Sequence, residues 1–292
     1  MKGASPLRYP GGKWRWEGYF ARLISLNDLT GAVYVEGYAG GASLALSLLF
    51  SRQVSEVYLN DLDRSIFAFW YSVTRHNREF VKRVASTPIT VEEWEKHKLT
   101  HKNRGVADLF ELGFATFYLN RTNRSGVLNG GIIGGKSQSG EWGIEARFNR
   151  NDLIERLRRV GEFATRIHVT GDDALRFLGA TTPYLPASTL VYLDPPYYEK
   201  GPDLYLNAYK PEDHASIRKA LPRVLKQNWI VSYDDVRPVR TLYSRFRSRK
   251  AVLQYSARES RKGREILLFS DGLRLPRGGI SPDAQSRSRK VS

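Results

Sequence analysis

The segment that most constrains the fold is LVYLDPPYYEK, from Leu190 to Lys200. Its first four residues are apolar and partly β-branched, which predicts a buried strand of a parallel sheet. The tetrad Asp194-Pro195-Pro196-Tyr197 then ends that strand, because two prolines fix φ and lack the N–H that a sheet requires. The sequence therefore places a stiff turn at the carboxyl end of a strand, where open α/β sheets bind ligands.

The side chains and carbonyls of this turn suit a planar base that carries an exocyclic amine. The Asp194 carboxylate and the Pro195 carbonyl can accept the two amine hydrogens, and the ring of Tyr197 can stack on the base. A proline turn that merely ends a strand is the simpler interpretation. The complete tetrad after a buried strand favours a functional site.

Composition narrows the classes of protein that need to be considered. The chain has 292 residues, enough for one large domain or a core domain with an insertion. It has no cysteine, which excludes thiolate catalysis, disulfides and thiolate metal sites. No apolar run approaches the roughly 20 residues of a membrane span, and no signal-peptide pattern is present. We expect a soluble, cytoplasmic protein with neither a membrane nor a metal as partner.

The charge balance points to a polyanionic partner. Forty-six basic residues against thirty acidic ones give a net charge of +16 and a pI near 10.0. The segment from Arg237 to Arg264 holds ten of the basic residues and a single acid, Glu259. Such one-sign clustering favours contact with nucleic-acid phosphates over a merely solvated surface. An anionic membrane is the weaker alternative, because no amphipathic anchor accompanies the cluster.

A strand, a glycine turn and a helix follow one another near the N-terminus. Ala32 to Glu36 is β-rich, GYAGGAS comes next, and an apolar helical stretch runs from Leu44 to Phe50. This order predicts a cradle for a nucleotide-like cofactor, because glycines let the backbone approach a ligand closely. Since Gly37, Gly40 and Gly41 do not have the GxGxxG spacing, a dinucleotide is not favoured.

Asp61 follows the second predicted strand, VSEVYLN. An acidic residue some twenty positions beyond the glycine turn is where a ribose diol is commonly held. The alternative is that Asp61 only caps the helix that begins near Asp63. The preceding glycine turn favours the ribose role.

From about Ser65 to Phe163 the strand–helix alternation stops and helical patterns take its place. A glycine-rich segment from Asn120 to Gly143 interrupts these helices. We interpret that segment as a mobile hairpin whose donors and acceptors suit phosphates and base edges, with a solvated surface loop as the alternative. The alternation resumes with a strand that ends in Gly171-Asp172-Asp173. The DNA-contacting candidates are Arg121, Asn123, Arg124, Ser125, Asn129 and Lys136.

The C-terminal third completes the expected sheet. Glu199 to Tyr209 is expected to be a loop that closes over the target, and Pro211 to start a helix. Trp229 to Tyr233 is a further strand, and Ala251 to Tyr255 with Glu265 to Phe269 predicts an antiparallel hairpin at the sheet edge. Residues beyond Gly272 are basic and of low complexity, which predicts disorder.

The tetrad DPPY, with LRYPGGK, GYAGGAS, FYLNR and RFN elsewhere in the chain, resembles the Dam-like branch of the amino-group DNA methyltransferases. The resemblance extends from about Leu7 to Phe269. It implies a Rossmann-like α/β methyltransferase sheet, mostly parallel, with an antiparallel edge hairpin. A catalytic domain would comprise 1–65 and 164–272, a helical target-recognition domain 66–163, and a basic tail 273–292.

The resemblance also implies a reaction, which is methyl transfer from S-adenosylmethionine to the N6 amine of a flipped adenine in double-stranded DNA. It places Lys13 beside the catalytic residues Asp194, Pro195 and Tyr197. One acid of the pair Asp172 and Asp173 would bind the cofactor's adenine, and Asp172 is preferred. The implied cofactor-binding residues are Tyr9, Glu36, Tyr38, Gly40, Asp61, Asp172, Asp173 and Asp194.

Three positions depart from the family pattern. Gly37 and Tyr38 replace the usual proline and phenylalanine of the cofactor motif, and Arg124 stands where relatives carry an aromatic wedge. Alternative functions are methylation of a cytosine amine or of RNA, and DNA binding without catalysis. A nicotinamide dehydrogenase with the same sheet is a more distant alternative.

Overall fold

The computed structural model describes residues 3–9, 13–199, 209–257 and 259–280, with the backbone alone for 252–263. Seven strands form one sheet, in the order β3-β2-β1-β4-β5-β7-β6. They are β1 (Ala32–Glu36), β2 (Val54–Asn60), β3 (Ile167–Thr170), β4 (Leu190–Leu193), β5 (Asn228–Asp234), β6 (Arg247–Ala257) and β7 (Glu259–Phe269).

The pairing of these strands confirms the predicted fold class. Strands β1 to β5 are parallel, and β7 lies antiparallel between β5 and β6. The parallel part has the order 3-2-1-4-5 of a doubly wound fold, so the sheet is Rossmann-like with an antiparallel edge hairpin. The hairpin strands are longer than predicted.

Successive side chains of the buried strands point to opposite sides, so both faces of the sheet are apolar. Helices cover both faces and remove this surface from water. Tyr34 and Tyr192 belong to the core on one face, and Val35 and Val191 to the core on the other. The described part of the chain contains α1 (Glu17–Leu26), α2 (Ser43–Phe50), α3 (Arg64–Arg75), α4 (Asn77–Ser86), α5 (Val91–Lys102), α6 (Leu109–Thr122), α7 (Arg150–Glu162), α8 (Ala174–Thr181), α9 (Pro211–Val224) and α10 (Arg237–Leu242).

The helices α3 to α7 lie between β2 and β3 in the chain, where the sequence predicts a helical insertion. Aromatic rings form their core: Phe69 stacks on Phe117 at 6.1 Å, and Phe80 lies 5.7 Å from Phe117. This core is continuous with the core on one face of the sheet. The division of the chain into two domains stays a prediction.

Two local predictions are wrong. Residues Asn120 to Thr122 are the last turn of α6, and the segment after them has one isolated β-bridge, Asn123 to Ile132, rather than a hairpin. The tail does not begin at 273, because Leu273 and Ile280 are buried and Arg274 pairs with Asp28 at 2.7 Å. The rest of the predicted tail, 281–292, and most of the predicted closing loop, 200–208, lie outside the described residues.

No helix among the described residues has the length and apolar character needed to cross a bilayer.

Candidate active site

The parallel strands bring their carboxyl ends to one edge of the sheet, where the predicted acidic residues meet. Glu36 ends β1, Asp61 follows β2, and Asp194 follows β4. Glu36 pairs in register with Tyr192, and Asn60 with Thr170. Residues that are far apart in the sequence therefore form one site, at the position where doubly wound folds bind ligands.

The glycine turn between β1 and α2 is held tightly at Gly40. Its φ is +45°, and a Cβ there would lie 2.7 Å from the Tyr9 ring. Its carbonyl accepts a hydrogen bond from the Trp70 indole at 2.9 Å. Only glycine fits this left-handed position under the ring. The predicted cofactor residues Tyr9 and Gly40 are thus in contact.

Asp61 does not cap the following helix, which removes the alternative interpretation of this residue. Its Oδ2 accepts from the Gly40 N–H at 2.8 Å, and its Oδ1 from the Asp63 N–H at 2.9 Å. The cap of α3 is Asp63, whose side chain accepts from the Ser65 N–H. Burial raises the pKa of Asp61 to about 7, against the lowering effect of its two backbone donors. The carboxylate is therefore fixed beside the glycine turn.

Glu36 is buried beneath the same turn. Its Oε1 accepts from the Tyr34 hydroxyl at 3.2 Å and from the Ala45 N–H of α2 at 3.1 Å. Burial raises the pKa of Glu36 to about 8. In the described part of the chain, neither Glu36 nor Asp61 forms an ion pair. Both carboxylates thus suit a ligand that brings positive charge or hydroxyl donors.

Asn60 links three strand ends, and the sequence analysis did not identify it. Its Nδ2 donates to the Gly37 carbonyl at 3.2 Å and to the Asp172 carbonyl at 2.9 Å. Its Oδ1 accepts from the Asp172 N–H at 3.0 Å and from the Thr170 hydroxyl at 2.9 Å. A polar residue fully buried at a strand end is the signal that could have revealed it.

The two acids after β3 occupy different positions. Asp173 caps α8, with its Oδ1 accepting from two backbone N–H groups at 3.0 and 3.1 Å. Its charge, after burial, contributes to raising the pKa of Tyr209, whose hydroxyl lies 3.1 Å from that of Tyr38. The carboxylate of Asp172 instead lies 3.9 Å from Arg176. Asp173 is therefore engaged at the start of α8, whereas Asp172 lies near an arginine of that helix.

The Asp194 carboxylate has a partner on each oxygen. Its Oδ1 accepts from the Ser232 hydroxyl at 2.5 Å, and the Ser232 Oγ lies 2.7 Å from the Tyr192 hydroxyl. Its Oδ2 lies 3.0 Å from the Lys13 Nζ. Strands β4 and β5 are adjacent, so the backbone itself places Ser232 beside Asp194. The Ser232 hydroxyl therefore orients the carboxylate, and the buried Lys13 ammonium neutralises its charge.

Tyr197 and Glu265 complete this group. The Tyr197 hydroxyl donates to the Glu265 Oε1 at 2.5 Å and accepts from the Lys13 Nζ at 3.3 Å. The Tyr197 ring is 4% exposed, so it is enclosed, and Pro195 is buried beside it. The structure thus brings the four predicted catalytic residues together. It adds Ser232 and Glu265, which no local sequence pattern indicated.

Arg121 is half-buried and its guanidinium is bonded within the protein, so its contact with DNA stays a prediction. Its guanidinium donates to the Pro6 carbonyl, with the Nε at 2.8 Å. The neighbouring Asn120 exchanges two 2.7 Å hydrogen bonds with the backbone of Arg8. Both side chains hold the N-terminal segment that brings Tyr9 over the glycine turn.

Asn123 is buried, because its amide serves the fold of its own loop. Its Oδ1 accepts from the Trp94 indole at 2.7 Å, and its Nδ2 donates to the carbonyls of Val127 and Leu128 at 2.9 Å. We therefore withdraw it as a DNA contact. The predicted residues Arg124, Ser125 and Asn129 are exposed, and Lys136 is exposed but pairs with Glu95 at 2.7 Å.

A cationic surface lies where this loop meets the N-terminal segment. The Arg8 guanidinium lies 3.5 Å from the Asn123 carbonyl, and Gly126 packs against the Arg8 backbone. Burial lowers the pKa of Arg8, and the charge of Arg147 adds to this effect. Neither arginine has an acidic partner within the described ranges. Trp142, in the same segment, is 63% exposed and was not identified from the sequence.

The basic segment from Arg237 to Arg264 is only partly available to a partner. Arg240 pairs with Asp235 at 2.6 Å, and Arg247 donates to three backbone carbonyls at 2.6 to 2.9 Å. The side chains from 252 to 263 lie outside the described part, so the phosphate contacts predicted there stay a prediction. Among the described residues, no group of three or more His, Asp or Glu could hold a metal ion.

Comparisons with known proteins identify the family of this chain. Two solved structures are similar over most of their length: a candidate methylase of Haemophilus influenzae (13% identity, 87% of this chain and 86% of that one, TM-score 0.34) and a protein of Legionella pneumophila (12%, 90% and 84%, 0.34). No curated protein matches the sequence. The family model for D12 class N6 adenine-specific DNA methyltransferases matches residues 9–257, and the chain therefore belongs to that family of enzymes.

Proposed function

We propose that the protein transfers a methyl group from S-adenosylmethionine to the N6 amine of an adenine that is flipped out of double-stranded DNA. The observation that carries this proposal is the Asp194 carboxylate, oriented by Ser232 at the end of β4 and followed by the two prolines. Family membership supports the adenine amine as the methylated group. The cofactor, the duplex and the flipping are our inference.

The residues around the glycine turn fit S-adenosylmethionine. A Cβ at Gly40 would have no room beneath Tyr9, so glycine is required for the turn to lie against this ring, which the family resemblance places at the cofactor. Asp61 is held where it can accept the ribose hydroxyls, and Glu36 can balance the positive charge at the methionine end. When bound, this cofactor supplies an electrophilic methyl group on a sulfonium.

The chain itself would position and polarise the adenine amine. The amine is a weak nucleophile because its lone pair is delocalised into the ring. Asp194 and the Pro195 carbonyl would accept its two hydrogens, which favours a tetrahedral nitrogen that directs its lone pair towards the methyl group. Positive charge develops on that nitrogen, and the nearby Asp194 carboxylate stabilises it. Alignment of the reacting atoms supplies the remaining acceleration.

Flipping is needed because a base inside the duplex cannot reach this turn. Tyr197 would be the stacking partner of the flipped base. Since the ring is enclosed in this structure, stacking requires that its neighbours rearrange when the base enters.

The raised pKa values of Glu36 and Asp61 predict a pH dependence. Without cofactor, the folded protein keeps protons on these groups up to about pH 8 and 7, which an unfolded chain has already lost. The free energy of unfolding should therefore fall as the pH rises from about 4, where the carboxyl groups of an unfolded chain ionise, to about 8. A cationic ligand favours the ionised carboxylates, so its affinity should rise between about pH 6 and 8, with release of protons. Calorimetry in buffers of different ionisation enthalpy measures both effects, and an affinity that does not change with pH would contradict the assignment.

Either Asp172, which the sequence favours, or Asp173, whose charge acts on the nearby Tyr209, would bind the adenine end of the cofactor. We expect one of the two variants Asp172→Ser and Asp173→Ser to weaken cofactor binding by about 3- to 10-fold, since one hydrogen bond contributes about 1 kcal/mol. Serine also caps helices well, so α8 should persist in Asp173→Ser. The other variant is the matched control. Equal losses in both variants, measured by calorimetry, would leave neither acid with a special role.

The exposed residues Arg124 and Arg147 and the half-buried Arg8 are our candidates for contacts with DNA. Arg124→Ala should relax the preference at one base pair by about 1–3 kcal/mol, because arginine commonly makes a bidentate contact with guanine. Lys136→Ala is the control: Glu95 already neutralises that ammonium, so any loss should be small and equal for all sequences. Methylation-sensitive sequencing of a treated genome reads out the preference. A sequence preference that Arg124→Ala leaves unaltered would refute this role.

Transfer of tritiated methyl groups from the cofactor to DNA, followed by base analysis, tests the proposed function. We expect N6-methyladenine, with duplex DNA preferred to RNA. Label in cytosine or in RNA would support the alternative substrates, and absence of label would support binding without catalysis.

A further inference from the structure

Glu265 lies on β7, at the edge of the sheet that carries the site. It pairs in register with Asp234 of β5 and with Ala251 of β6. It is 1% exposed, so its carboxylate lies in the interior, where an acidic group requires partners. Strand β7 itself is not among the segments that carry the family-like motifs.

Two residues of the candidate site contact this carboxylate. The Glu265 Oε1 accepts from the Tyr197 hydroxyl at 2.5 Å and lies 3.4 Å from the Lys13 Nζ. The same ammonium lies 3.0 Å from Asp194 and 5.3 Å from the centre of the Tyr197 ring. Lys13 therefore lies between two carboxylates, one at the reacting position and one behind it.

This arrangement matters because Lys13 and the target amine would compete for Asp194. The amine becomes positively charged during methyl transfer, and a fixed ammonium beside the same carboxylate would oppose that charge. A second carboxylate within reach lets the ammonium remain paired after Asp194 has turned to the amine. Withdrawing a charged partner from a buried ammonium is costly, and the second carboxylate offsets part of that cost at this step.

We infer that Glu265 is a positioning residue that holds the Lys13 ammonium when Asp194 engages the target amine, and that also fixes the hydroxyl of Tyr197. This inference rests on the proposed function. Glu265 does not touch the reacting atoms, and it acts through Lys13 and Tyr197.

A double-mutant cycle between Glu265→Gln and Lys13→Gln tests the inference. We expect Glu265→Gln to lower the single-turnover rate of methyl transfer at least tenfold while the dissociation constants for cofactor and DNA change less than threefold. In the Lys13→Gln background the same substitution should cost several-fold less, because only the contact with Tyr197 then remains to be weakened. DNA with 2-aminopurine at the target position should show altered fluorescence on binding to Glu265→Gln, because the Tyr197 hydroxyl loses a charged acceptor.

Controls separate this role from a general loss of stability. Asp235→Asn also neutralises a buried carboxylate, one that pairs with Arg240, and it should leave the rate unchanged. Glu265→Asp retains the charge and should recover part of the rate. Equal losses in both Lys13 backgrounds, an unchanged rate, or a Glu265→Asp variant as slow as Glu265→Gln would each overturn the inference. Wild-type protein that does not methylate adenine would instead refute the proposed function.

Discussion

Asp194→Ala should abolish methyl transfer, with a loss of at least about a thousandfold in rate. The substitution removes the carboxylate that begins the proline turn, and with it an acceptor of the amine hydrogens. Cofactor affinity should stay within about tenfold, or 1.4 kcal/mol, because the ribose is assigned to Asp61. Single-turnover transfer of labelled methyl groups and calorimetry with the cofactor measure the two quantities.

A graded control is available at Ser232. Ser232→Ala leaves the Asp194 carboxylate in place and removes only the hydroxyl that orients it, so we expect a loss near tenfold, the value of one hydrogen bond to a charged group. Substantial turnover by Asp194→Ala would show that the tetrad is not the catalytic motif of this chain.

Asp61→Ala should weaken cofactor binding by about 10- to 100-fold, because hydrogen bonds to a charged group contribute about 1.5–3 kcal/mol. The substitution also leaves the Gly40 N–H, now bonded at 2.8 Å, without its acceptor. The glycine turn should then lose part of its fixed shape. Calorimetric titration with the cofactor gives the affinity directly.

Asp63→Ala is the matched control for this prediction. Asp63 lies two positions away and caps α3, so its loss should lower the free energy of unfolding by about 1 kcal/mol. Cofactor affinity should be unchanged. If Asp63→Ala weakened cofactor binding as much as Asp61→Ala, the ribose assignment would be wrong.

Local rules explain why much of the site could be predicted. The strand before Asp194 and the helix that starts at Pro211 follow from short-range sterics of proline and from apolar periodicity. The left-handed position at Gly40 is likewise a property of one residue. Parallel strands then bring their carboxyl ends together, so Glu36, Asp61 and Asp194 meet without further information.

The loop between α6 and α7 shows where composition misleads. Arginine and asparagine in a glycine-rich segment suit nucleic acid, and this reasoning suggested Arg121 and Asn123 as contacts. Both are drawn inward, because buried backbone carbonyls and indole donors need partners. Arg124, close to both in sequence, is exposed. The local course of the backbone at the end of α6 decides which side chain faces solvent, and composition carries no information about it.

The sequence by itself determined the class of sheet, the turn at Asp194 and the glycine cradle, since each depends on residues within a few positions of one another. Tertiary structure alone decided the partners of Lys13, which lies 184 positions from Tyr197 and 252 from Glu265. It also decided that Ser232 orients Asp194, through the pairing of β4 with β5. The physical reason is that a buried charge takes whichever partners the packed chain brings within hydrogen-bonding distance, and separation in sequence does not limit that choice.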